Sequence, residues 1–516
     1  MRNKFDEDPT QSEQMNWKPI KDISVRGKVL TMGCAMLALF LASMDQTIVG
    51  ISLPKVIADL GGFDRYTWIT TAYMVSSTTI VPIVGRLGDL YGRKRFYILG
   101  IAIFLVGSIL AGISQSMNQL IVFRAIQGFG GGIMMANTFI VIGDLFSPAE
   151  RGKYVGLVAS VFGLSSLIGP ILGGFLTDNL SWRWIFYVNI LIGVPIILLL
   201  IAFFPRSPMR GTNVKLDVKG ILLLAAFVIS LLIALSVGGV WYPWFSVQVI
   251  TLVAFSMISL IILFKVETSA ADPIIPIELL RNRIVGLSYI VIFLTGFVMF
   301  GGIIFLPLYF QGVQGISVTS TGSFMIPMML SMVVASTISG QALSRMGGHY
   351  RIQGLVGLIL MALGVYMISN MSEHTSYASS VVNIMLLGFG LGITFPAHNI
   401  AVQNAAPFRF MGVAISSGQF CRSIGGAFGL AIMGSIMTSR FASFFLSNVH
   451  SSVKGVVPVE KLNSLANNPQ ALVSYDAQRE LQIMIVDEGS LGAGIFNETL
   501  QAMRLALSLS ISEIFI

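Results

Sequence analysis

Thirteen apolar runs, each long enough to cross the hydrocarbon core of a bilayer as a helix, and a fourteenth begun near the C-terminus leave this chain few folds to choose from. The runs cover roughly 29–53, 66–84, 96–114, 118–145, 153–177, 183–204, 218–239, 245–265, 284–310, 319–342, 352–370, 376–400 and 411–438, and the last starts near 498. Lipid offers no hydrogen bonds, so such runs satisfy their backbone as helices. Composition agrees. With 54% hydrophobic and only 11% charged residues, and a mean hydropathy of +0.81, a soluble protein of several domains is excluded. The fold class is an all-α polytopic membrane protein of 14 transmembrane helices.

The net charge of +8 raises the question of nucleic acid, which the positions of the charges answer. With the N-terminus in the cytoplasm, 22 of the 32 Lys and Arg fall in the N-terminal tail or cytoplasmic loops, and only Lys55, Arg65 and Arg183 fall in short outer loops. That asymmetry is a topology signal, and no nucleic-acid partner is implied. Trp68, Trp182, Trp184, Trp241 and Trp244 land at the outer surface, where an interfacial aromatic belt belongs. The first 28 residues are polar and the run after them is too long for a signal-peptide core, so the first span is expected to stay in the membrane. Cys34 and Cys421 both lie inside apolar runs, as packing residues.

The organisation reads as a cytoplasmic tail (1–28), a six-helix half (29–204), a linker with two inserted helices (205–283) and a second six-helix half (284–516) with a long outer loop at 440–497. The loop's mixed spacing suits short amphipathic helices on the outer surface. The last helix is expected to be short. After Arg504 only LALSLSISEIFI remains, so either the helix starts earlier, near Ile495, or the chain is truncated relative to its relatives. The loops GRLGDLYGRKR (85–95) and GQALSRMGGHY (340–350) share the spacing of two glycines, Gly85 and Gly92 against Gly340 and Gly347, with Ser344 where the first has Asp89. Each follows the second helix of a six-helix half. Two such halves repeated about a membrane-normal axis form an architecture of secondary transporters.

Four stretches carry a family resemblance. MDQTIVGISLP in the first span, GRLGDLYGRKR after the second, QLIVFRAIQGFGGGIM in the fourth and GLSSLIGPILGG in the fifth resemble the ordered motifs of the major facilitator superfamily. Within it they are similar to the 14-helix drug:proton antiporter-2 group, the EmrB/QacA-like multidrug exporters. The resemblance covers nearly the whole chain and implies two six-helix halves plus two inserted helices. It also implies a conformational latch at Gly85, Asp89, Gly92, Arg93, Lys94 and Arg95. By their own chemistry the two glycines permit a tight turn, Asp89 can accept bonds at a helix N-terminus, and the three cations suit an anionic inner leaflet. Gly163, Gly169, Pro170, Gly173 and Gly174 allow the fifth span to pack closely and bend. In the family this motif marks exporters.

Ionisable groups within a bilayer are functional candidates. Here they are Asp45, Arg124, His398 and Arg422, with Asp144 near the inner end of the fourth span beside Arg151 and Lys153. Counting from the outer ends at about 1.5 Å per residue puts Asp45 about 12 Å deep and Arg124 about 9 Å deep, at similar levels. Burial disfavours a carboxylate and a nearby guanidinium favours it, so Asp45 can load a proton in one conformation and release it in another, with Arg124 modulating it. A static ion pair joining two helices is the alternative. The family resemblance associates both positions with coupling. Arg422 faces either a cavity or neighbouring carbonyls, and His398 reads as a packing residue.

Polar and aromatic side chains in Gly-rich spans can line a promiscuous pocket, which nominates Tyr73, Gln127, Asn137, Phe300, Tyr309, Asn399, Gln419 and Arg422. No further carboxylate appears within the helices of the C-terminal half before the last one, which favours neutral or singly charged lipophilic cargo. Scattered histidines and the lack of a phosphate loop point to no metal, no cofactor and no enzymatic activity. The expectation is proton-coupled export of lipophilic, neutral or cationic small molecules by a monomer in the plasma membrane. A transporter of one metabolite, lipid or siderophore is the alternative.

Overall fold

The computed structural model describes residues 25–60, 65, 67–204, 217–239, 241–270, 273–316, 318–345, 350–407, 410–466, 472 and 492–516. Among the described residues fourteen long helices follow one another: α1 (Val25–Leu60), α2 (Thr67–Tyr91), α3 (Arg93–Gly112), α4 (Met117–Leu145), α5 (Pro148–Asn179), α6 (Trp184–Phe203), α7 (Val218–Val237), α8 (Val247–Ser269), α9 (Arg283–Gly312), α10 (Val318–Arg345), α11 (Tyr350–Ser369), α12 (Tyr377–Ala405), α13 (Met411–Asn448) and α14 (Gly492–Ile514). Each apolar run has become one helix. Twelve of them satisfy length and apolarity for a span outright, whereas α2 and α14 fall outside that set. Serines and threonines such as Thr70, Thr71, Ser76, Ser77, Thr78 and Thr79 dilute the apolarity of α2. The last helix takes the earlier start: at 23 residues it is about 34 Å long, enough to span.

Local chemistry fixes where several helices begin. Ser116 accepts a bond from the Gln119 amide at the start of α4, and Ser147 with Glu150 forms a capping box at α5. Asp217 caps α7 and Ser246 caps α8. Between α2 and α3 the turn runs through Gly92 at φ 92°, a conformation that only glycine adopts without strain.

Burial grades the helices by position. The apolar stretch of α4 is 83% buried, so α4 is a central element, while that of α8 is only 22% buried. Leu191, Leu222, Phe255 and Ile258 project outward from α6, α7 and α8, where hydrocarbon is the natural solvent.

The chain divides into two compact units. The first comprises residues 1–295, 333–355 and 392–425, and the second 296–332, 356–391 and 426–516. Within the first, helices approach at glycines. A Cβ on Gly128 or Gly130 of α4 would collide with Tyr73 backbone on α2 or with Phe104 backbone on α3. The repeated loops share a role there. Gly85 lies against Ser416 and Gly412 of α13, and Gly340 lies against the Gly152 backbone of α5, so the leading glycine of each copy is a point of close helix approach. In the second unit, α14 buries Met503, Ala506 and Leu507, pairs Glu513 with Arg440 of α13 at 2.8 Å, and donates from Ser512 to the Ser369 carbonyl. Of the long loop, Ser451–Val456 and Val459–Ala466 are short helices, the latter burying Leu462 and Ala466 on one face. Residues 467–471 and 473–491 lie outside the described residues.

Candidate functional site

Asp45 and Arg124, matched in depth by counting residues, are in contact. Arg124 Nη1 lies 2.5 Å from Asp45 Oδ2, and the two residues are 1% and 0% exposed. The other carboxylate oxygen accepts from Gln127 Nε2 at 2.8 Å and from Asn189 Nδ2 at 3.0 Å. Both amides also donate to Ser108 Oγ, at 2.8 and 3.2 Å. Arg124 Nη1 reaches Gln127 Oε1 at 2.6 Å, and the guanidinium lies 4.4 Å from the centre of the Tyr73 ring. Five helices, α1, α2, α3, α4 and α6, thus converge on one carboxylate.

Sequence explains the convergence. On α4, Arg124 and Gln127 are three residues apart and share a face. A Cβ at Gly107 of α3 would strike the Gln127 backbone, and one at Gly131 would strike the Tyr73 hydroxyl, so glycine brings α2 and α3 within reach of α4. The α5 motif acts from the other side of α1. Gly169 packs against Thr47 and Gly173 against Ile48, while Thr47 donates to the Ser165 carbonyl. The helix-5 glycines therefore support the helix that carries Asp45. Gly163 is buried, Gly174 has open space beside it, and the Pro170 side chain lies outside the described residues.

A second charge cluster joins α3, α4 and α6. Arg93 Nη1 pairs with Asp144 at 2.5 Å and donates to the Ile140 carbonyl at 3.1 Å, both within α4. The ion-pair partner of Asp144 is therefore Arg93; Arg151 donates to the Gly143 and Phe146 carbonyls at 2.8 and 3.2 Å, closing the end of α4. Lys94 donates to the Ile201 and Phe204 carbonyls at the end of α6, and Arg95 is exposed. The Asp89 side chain lies outside the described residues.

The remaining candidates are dispersed. Tyr73 and Gln127 belong to the Asp45 network. Asn137 and Asn399 are buried and bond to their own helices, at Ile133 and Phe395 carbonyls, and Gln419 is buried on α13. Arg422 is 3% exposed and lies 3.9 Å from the Phe395 ring centre. In the second unit, Tyr309 donates to the Ser372 carbonyl at 2.6 Å and Phe300 lies against Gly426. His398 bonds the Thr394 carbonyl of its own helix. Sequence reasoning missed Asn189 and Ser108; the signal was an uncharged polar residue inside WIFYVNILIGV and IFLVGSILAG. It also missed Glu267, 5% exposed near the end of α8, which accepts from the Ile275 amide.

A bundle of many membrane-crossing helices with a buried charge network defines a multi-pass membrane transporter. The chain belongs to the Major Facilitator Superfamily, whose model matches residues 35–430. It is 40% identical over 405 residues to "Multidrug transporter protein MdtP" of Bacillus subtilis (strain 168), covering 78% of this chain and 74% of that protein. It is 39% identical over 420 residues to "Multidrug resistance protein 3" of the same organism, covering 81% of each. "Efflux pump dotC" of Dothistroma septosporum is 32% identical over 419 residues, 80% of this chain and 71% of that protein. The crystal structure of the human organic anion transporter MFSD10 (TETRAN) matches with a TM-score of 0.59 at 15% identity, over 92% of this chain and 99% of that one, a likeness of fold.

Proposed function

We propose that this protein exports lipophilic, neutral or cationic small molecules in exchange for protons, by alternating access, as a monomer in the plasma membrane with its N-terminus in the cytoplasm. The observation that carries the reading is the Asp45 network: a carboxylate fully removed from solvent, held by one guanidinium and two amides. Its charge is matched in this conformation, so protonating Asp45 would release Arg124 and loosen the junction of α1 and α4. Such a step couples proton binding to helix movement. Loss of the proton on the cytoplasmic side restores the pair. The latch reading adds Gly85, Asp89, Gly92, Arg93, Lys94 and Arg95 as the element that holds one conformation, supported by the anchoring of Arg93 on α4 and Lys94 on α6. The names of the relatives support multidrug export, and the lack of Asp and Glu in the C-terminal-half spans before the last helix fits cargo of low charge.

The test is ethidium accumulation in cells lacking other pumps, with and without a protonophore. Expression should lower accumulation, and the protonophore should restore it. Accumulation unchanged across a panel of lipophilic compounds refutes multidrug export and directs attention to a single metabolite.

A further inference from the structure

Arg422 is handled differently from Arg124, Arg93 and Arg151. Arg124 has Asp45 and Gln127, Arg93 has Asp144, and Arg151 donates to two backbone carbonyls. Arg422 sits in α13 at 3% exposure with Nε and Nη1 unpartnered, and no acid among the described residues pairs with it. Its guanidinium stacks 3.9 Å from the ring centre of Phe395 on α12. That ring is 5.8 Å from Phe139 of α4 and 6.0 Å from Phe162 of α5, which are 6.4 Å from each other. Three phenylalanines from three helices and one unpaired cation from a fourth thus share one place in the first unit.

Arginine keeps its proton under all biological conditions, so it cannot escape burial by neutralising itself. A guanidinium that served only to hold helices together would use its donors on carbonyls, as Arg151 does. The unspent donors form part of a planar fork that fits a carboxylate. Beside it, buried Phe139 and Phe395 and half-buried Phe162 make the wall next to the guanidinium apolar, the character an apolar body would match. We propose that Arg422 with Phe139, Phe162 and Phe395 forms a subsite for the carboxylate of an amphipathic organic acid. The export reading then extends from neutral and cationic cargo to lipophilic acids, and in that respect the inference rests on it.

The experiment separates the two. Binding of a fluorescent amphipathic carboxylate and of its methyl ester to the purified full-length protein in nanodiscs is measured by anisotropy, where no transport is needed. The wild type should bind the acid at least about tenfold more tightly than the ester, about 1.4 kcal/mol. Arg422→Gln should bring that ratio close to one while still binding the ester. Arg422→Lys keeps the charge without the fork and should give an intermediate ratio, which keeps the test decisive should the Gln variant fail to fold. Equal binding of acid and ester by the wild type overturns the proposal, whatever the variants do. So does a tenfold ratio that persists in Arg422→Gln, or displacement of the acid by an equal concentration of chloride, which would mark a general anion site. Ethidium export by the wild type is scored separately, so failure of export and failure of the subsite are distinguishable.

Discussion

Replacing Asp45 by Asn keeps the shape of the side chain and removes its charge, which makes it the sharpest probe of the buried network. The remaining amide oxygen can still accept from Gln127 or Asn189, so the main loss is the 2.5 Å ion pair to Arg124. Breaking a buried pair from one side costs about 3–5 kcal/mol, chiefly because a charge is left behind. Here Arg124 keeps Gln127 Oε1 at 2.6 Å and the Tyr73 ring at 4.4 Å, so the expected loss is lower, about 2–3 kcal/mol. Arg124→Gln should cost a similar amount. The double variant removes both charges and leaves the amides of Gln127 and Asn189 with Ser108, so it should fall short of the sum of the singles by about 2 kcal/mol. The assay is the unfolding free energy of the four proteins in a series of mixed detergent micelles with increasing SDS. Costs that add to within about 0.5 kcal/mol would show that Asp45 and Arg124 are not energetically paired and would refute the reasoning.

Asn189→Leu removes one of two amide donors to Asp45 and should destabilise by about 1–3 kcal/mol in the same assay, with Asp45→Asn adding less on that background than on the wild type. Gly340→Val would drive a side chain into the Gly152 backbone and should cost at least about 1–3 kcal/mol while reducing ethidium export; full export with unchanged stability would contradict the close approach of α5 and α10. Asp59 lies in the last turn of α1, where a hydrogen bond from Trp182 and then the Arg183 guanidinium hold its carboxyl below the usual carboxylate value. A lowered carboxylate contributes stability above its unfolded value, about 3.9, and loses it as pH falls through the lower folded value. The Tm gap between wild type and Asp59→Asn should therefore narrow as pH drops below about 4; a gap that widens would reverse the assignment.

Much of the fold was legible because lipid imposes one rule on every span. Apolar runs of about 20 residues had to become helices, and each of the fourteen did, with errors confined to ends. The start of α14 was ambiguous since Arg504 interrupts the run, and the helix simply continues through it from Gly492. Asp45 and Arg124 could be matched by depth, because rise per residue converts position along a helix into height in the membrane. Their amide partners could not. Asn189 and Ser108 carry no charge, and single polar residues are common enough in spans that only the packing of α6 on α1 and of α3 on α4 and α6 singles them out. Asp144 lies in sequence beside Arg151 and Lys153, and packing of α3 on α4 supplies Arg93 as an ion-pair partner. Glu267 escaped notice for another reason: two residues from the end of a helix it reads as interfacial, yet packing buries it.

The central claim is that Asp45 carries the proton that drives export. Purified protein reconstituted in liposomes, with a pH-sensitive dye inside and an imposed proton gradient, measures it directly. Adding an exported substrate to wild-type vesicles should produce a proton flux opposite to substrate movement, and Asp45→Asn should abolish that flux while substrate still equilibrates down its own gradient. A proton flux of wild-type size in Asp45→Asn vesicles would contradict the account.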